Sequence, residues 1–85
     1  MKNKITWKEK YAISLNDELS TKDICLLFDI GRPKAASLRN MALEAEGRDF
    51  KNRTERASTT TILQLMGKEK QYFLNKMKEE KFLND

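Results

Sequence analysis

Arg32, Lys34, Arg39 and Asn40 fall within nine residues of one another, and no acidic residue stands among them. Three fixed cations and a carboxamide on one short segment can hydrogen-bond base edges and neutralise phosphates. A helix carrying them suits insertion into the major groove of duplex DNA. The bland alternative is that they are the solvated face of an ordinary helical hairpin. The surrounding stretch Thr21–Asn40, TKDICLLFDIGRPKAASLRN, reads as two short helices joined by a tight turn.

The start of the first helix is signalled by Ser20 with Asp23 three residues on, close to a capping box, and by the carboxylate lying near the positive end of the helix dipole. Helix Thr21–Phe28 contains the run ICLLF, apolar nearly all round, so it is expected to be the most buried element. Asp29-Ile30-Gly31-Arg32 makes the break, where Gly31 tolerates backbone conformations costly to other residues. Pro33 fits the first turn of the next helix, because its missing N–H costs nothing there. That helix is expected over 33–46, with Gly47 ending it. Its periodicity puts Ala35, Leu38, Met41, Ala42 and Ala45 on one face and Pro33, Ala36, Ser37 and Asn40 opposite.

The flanking chain supplies the support. Residues 1–4 read as a basic flexible arm, Ile5–Leu15 as a first helix with Trp7 and Tyr11 on a shared face, and Asn16–Ser20 as a linker. Arg48–Ala57, RDFKNRTERA, is polar and basic; a short β-wing over 48–57 and a plain loop both stay open. A helix capped by Ser58 or Thr59 runs to Met66, burying Ile62, Leu63, Leu65 and Met66. A last helix, Lys68–Phe82, turns Phe73, Leu74 and Met77 to the core and its lysines to water. The expected class is all-α: one domain over 1–85, a small bundle of four to five helices built around 21–40.

Composition narrows the function. Eighty-five residues leave no room for a separate catalytic domain, and the absence of histidine, with Cys25 the single cysteine, leaves no nucleophile–base pair. No catalytic residue, metal site or cofactor is expected, and an intrachain disulfide is impossible. No apolar stretch is long enough to span a bilayer and no signal-peptide pattern opens the chain, so a cytoplasmic, reduced protein without a membrane partner is expected. The net charge of +4 favours a polyanionic partner. The positive excess lies in residues 1–10 and 30–57, while 11–29 is acidic.

Cys25 is a small residue in the first helix of the pair, and Ile24, Phe28, Ile30, Ala35 and Leu38 occupy inward positions at matching offsets. With that packing pattern the segment resembles the helix-turn-helix family of transcription regulators. It departs from the family in placing Asp29 where the turn residue is often glycine. The whole chain resembles small phage or mobile-element proteins of the excisionase and regulator type, in size, basic charge and the IGRPKA opening of the second helix. The resemblance implies sequence-specific binding of double-stranded DNA in a bacterial host cell, with the 33–46 helix in the major groove. Carried over by position, Arg32, Pro33, Ala36, Ser37 and Asn40 face the groove. Asn40 would bond an adenine edge, Arg32 a guanine or the backbone, and Ser37 a base or phosphate, while Ala36 would pack on a thymine methyl. Ser20, Thr21, Lys34 and Arg39 are assigned to phosphates, and Arg48, Lys51, Arg53 and Arg56 form a second basic group for phosphate or minor groove. Since one such helix covers few base pairs, a homodimer fits this reading. The competing reading is a small helical protein that binds and inhibits a host or phage protein, using the same scaffold without DNA. Leu43, placed near the groove face, is a mild point in its favour.

Overall fold

The computed structural model describes residues 5–49, 51 and 55–84. These form five helices and one pair of two-residue strands: α1 (Trp7–Ser14), β1 (Glu18–Leu19), α2 (Thr21–Phe28), α3 (Arg32–Ala45), β2 (Ala57–Ser58), α4 (Thr59–Leu65) and α5 (Lys70–Asn84). The mostly helical expectation holds. A tiny sheet is added to it: β1 lies inside the expected linker and pairs antiparallel with β2, Glu18 opposite Ser58 and Leu19 opposite Ala57. Two residues are too few to carry an alternating pattern, so no periodicity could announce them.

Helix starts follow their caps. The Thr6 hydroxyl accepts from the Glu9 N–H at 3.2 Å and the Glu9 carboxylate accepts from the Thr6 N–H at 3.1 Å, a capping box. Ser20 and Asp23 make the same reciprocal pair at 3.2 and 3.0 Å, as the spacing predicts. The turn is made differently from the expectation. Gly31 is extended at φ −76°, ψ 165°, and the left-handed residue is Asp29 at φ 56°. Aspartate tolerates that region better than most side chains. Gly47, at φ 71°, ends α3 with the Arg48 N–H returning to the Leu43 carbonyl at 2.8 Å.

α3 is the central element of the core. Ala35, Leu38, Ala42 and Leu43 are buried on its inner face, against Ile24 and Leu27 of α2 and Ile62 and Leu63 of α4. The burial stripe therefore runs through 35, 38, 39, 42 and 43, rotated from the expected one. Met41 and Ala45, expected inside, are exposed, while Leu43, expected near the groove face, is fully buried. α2 is less enclosed than its composition suggests. Ile24 and Leu27 are buried, but Cys25, Phe28 and Ile30 pack on the core only partly covered. Leu65 is exposed rather than buried, and Met66, Leu74 and Met77 are half-buried. α5 closes the other side through Phe73, whose ring meets Trp7, Phe28 and Tyr72 at centroid distances of 6.3, 6.1 and 5.2 Å. Among the described residues no helix is long and apolar enough to cross a membrane.

Candidate nucleic-acid interface

The inward stripe of α3 determines what its opposite side can offer. Pro33, Ser37, Met41 and Ala45 lie one turn apart along a single exposed row, with Lys34 and Glu44 beside it. Arg32 is exposed in the first turn, and between it and Leu43 the helix carries no acid. Ala36 and Asn40 occupy the border of this row and are half-buried. The Asn40 Oδ1 is buried and, among the described residues, has no hydrogen-bond partner. A bidentate contact to adenine needs both the oxygen and the amide nitrogen presented together, so this side chain must rotate before it can make one. Ser37 and Arg32 need no such change.

The strand register collects a second group. Continuing Leu19↔Ala57 by one residue sets Arg56 across from Ser20, at the N-terminal end of α2. Ser20 and Thr21 are half-buried there and Arg56 is exposed. Arg56 also shares a shallow hollow with Asn16, Asp17 and Glu18, and these two acids dilute its pull on a phosphate. Lys51 is exposed, with its own N–H held by the Asp49 carboxylate at 2.9 Å. Arg53 lies outside the described residues, as do residues 50, 52 and 54 of the segment considered as a wing. The partner of β2 is β1 rather than a strand within 48–56.

Two expected phosphate ligands have other employment. The Arg39 side chain is buried on the inner face of α3 and donates to the Glu55 carbonyl at 2.8 Å, which anchors the segment returning towards β2. Arg48 lies amid three carboxylates: Glu46 at 2.9 Å, Glu18 at 3.4 Å and Glu55 in direct contact. The hydrogen bonds it donates to Glu55 and Glu46 hold its pKa above the ordinary arginine value. Burial pushes the Glu46 carboxyl up, but hydrogen bonds from Arg48, Thr61 and the Ser58 N–H outweigh it and leave the pKa below the usual value. Neither arginine presents an uncommitted guanidinium to a phosphate, and both leave the candidate set. Burial decides the first and local carboxylates the second.

A third cation is also internal. Lys10 of α1 is 4% exposed, its Nζ 2.6 Å from Asp29 Oδ2 and 4.2 Å from the centroid of the Trp7 ring. Read along the sequence, Lys10 belongs to a basic N-terminus; in space it clamps α1 onto the turn that aims α3. No linear pattern announces a pair 19 residues apart. Periodicity assigns Met41 to the inward face, whereas the buried stripe of α3 takes Arg39 and Leu43 and leaves Met41 outside. Among the described residues no cluster of His, Cys, Asp and Glu could hold a metal ion. The chain matches no family model, and comparison with curated proteins and with solved structures finds none similar to it.

Proposed function

We propose that α2 and α3 act as a helix-turn-helix and that the protein binds double-stranded DNA with the outer row of α3 in the major groove, serving as a regulator of transcription or recombination. The observation that carries this reading is the contrast among its cations. Lys10, Arg39 and Arg48 are consumed inside the molecule, whereas Arg32 and Lys34 stay exposed on an acid-free stretch of about three turns. Pro33 and Ser37, compact residues at the start of that row, let its first turns approach a groove floor closely. In this role Arg32 and Ser37 make base contacts, Asn40 joins them after rotation, and Lys34, Thr21, Ser20, Lys51 and Arg56 face phosphates.

The test is a binding titration against a randomised duplex library at several salt concentrations. Arg32→Ala should keep the helical circular dichroism signal and weaken binding to the selected sequence about 10- to 100-fold, the loss of a good base contact. Lys34→Ala should weaken binding evenly on all sequences and lower the salt slope by about one. A wild-type protein that ignores duplex DNA at low salt would refute the proposal.

A further inference from the structure

Of the large apolar side chains left exposed among the described residues (Leu15, Met41, Leu65 and Phe82), Met41 alone stands on α3. It is 50% exposed, one turn beyond Ser37 and directly in line with it. Resting on the DNA-binding reading above, we infer that Met41 is a specificity-determining residue, and that its thioether packs against the C5-methyl group of a thymine in the major groove.

Three observations converge on this. First, the residue expected to meet a thymine methyl, Ala36, is half-buried at the border of the row, so its short side chain cannot lead the approach. Second, the exposed carboxylate of Glu44 closes the acid-free stretch, making Met41 the last large side chain of the row before phosphate repulsion begins. Third, the thymine methyl is the apolar landmark of a groove otherwise lined by hydrogen-bonding groups, and a thioether with three rotatable bonds can reach and fit it. Ser37 and Met41 are about 6 Å apart along the helix axis, so they address bases roughly two steps apart.

The experiment first selects a preferred duplex from a randomised library with the wild-type protein, then replaces each thymine in turn by deoxyuridine, which removes the methyl group alone. One position should show a wild-type affinity loss of about three- to fivefold, the worth of one buried methyl. Met41→Ala should bind thymine and deoxyuridine equally at that position, Met41→Leu should retain the discrimination, and the salt slope should stay unchanged in both. Because the side chain is exposed, circular dichroism of both variants should match the wild type, and this controls for misfolding. If the wild type tolerates deoxyuridine everywhere, or Met41→Ala still discriminates, the inference falls while DNA binding stands. If Met41→Ala keeps the wild-type sequence preference but loses self-association by sedimentation, Met41 is a protein contact and the inference is equally overturned. If no duplex is selected at all, the DNA-binding reading fails first and this inference fails with it.

Discussion

The α1–α5 pair packs through rings and covers those rings with lysines, whereas the α2–α3 pair packs mainly through aliphatic and small residues, buries Arg39 on its inner face and leaves Arg32 and Lys34 at the surface. Trp7 and Tyr72 meet edge-on at 6.0 Å, Lys68 lies 4.3 Å from the Tyr72 centroid, and Lys10 and Lys76 lie 4.2 and 6.0 Å from that of Trp7. Lys76 also reaches Glu79 at 3.8 Å. On α3, by contrast, Arg32 and Lys34 have no carboxylate within the same three turns. Charge in the first pair supports packing; on the outer side of α3 it stays exposed. The lesson is that a count of basic residues overstates the electrostatic footprint, because Lys10, Lys68 and Lys76 spend charge locally.

The sharpest way to break the comparison is to remove the ring on which α1 and α5 converge. Phe73 is 1% exposed, and Phe73→Ala should cost about 3–5 kcal/mol, a large share of the stability of a domain this size. Trp7 is the single tryptophan, so its fluorescence reports the α1–α5 region while far-ultraviolet circular dichroism reports all helices. Coincident urea transitions would show that the two pairs fold as one unit. A circular dichroism transition that persists after the Trp7 signal is lost would show α2–α3 standing alone, and the contrast would then separate two cooperative units.

The two pairs were also unequally legible in the sequence. Ser20-x-x-Asp23 announced α2 because a cap is a local hydrogen-bonding pattern, and Pro33 and Gly47 bracketed α3 to within one residue for the same reason. The inner face of α3 was misjudged because Arg39 is buried there: a charged residue interrupts an apolar stripe, and periodicity then favours the wrong neighbours. Its burial depends on the Glu55 carbonyl, 16 residues away, which no local pattern contains. β1 and β2 are too short to show in the sequence, and no local pattern contains the bond from the Thr59 hydroxyl to the Asn16 carbonyl at 2.5 Å, 43 residues apart. Of the candidate residues, Arg32, Lys34 and Ser37 are exposed on α3. Arg39 and Arg48 are committed to contacts that exist only in three dimensions.

The link between the pairs is the Lys10–Asp29 ion pair, and two substitutions separate its charge from its backbone. Asp29→Asn keeps a residue that accepts left-handed geometry but leaves the Lys10 ammonium facing a neutral group, and should cost about 1–3 kcal/mol. Asp29→Gly relieves a left-handed penalty of about 1 kcal/mol, yet removes the acceptor altogether. If the charge holds the turn, thermal unfolding should place both variants below the wild type. A glycine variant as stable as the wild type would mean that the backbone conformation, not the pair, is what matters at position 29. The α1–α5 lobe would then be joined to the turn by apolar contact alone.

The smallest expected effect concerns Glu46, at the end of α3 where Arg48 is gathered among carboxylates. Its carboxyl titrates below its ordinary value of 4.5 in the folded protein, so the ionised form is the one that folding favours. The associated stability is therefore present above pH 4.5 and lost as the pH falls through the lower folded value. Glu46→Gln removes this contribution at neutral pH. The side chain keeps 18% exposure and Arg48 keeps 30%, so solvent screening should hold the difference to under about 1 kcal/mol. Urea unfolding of the two proteins should show a gap at pH 7 that narrows as the pH is taken below 4.5. A gap that stays constant with pH would assign the role of Glu46 to its hydrogen-bonding shape. The end of α3 would then resemble its inner face, fixed by geometry, rather than its outer side, where charge stays exposed.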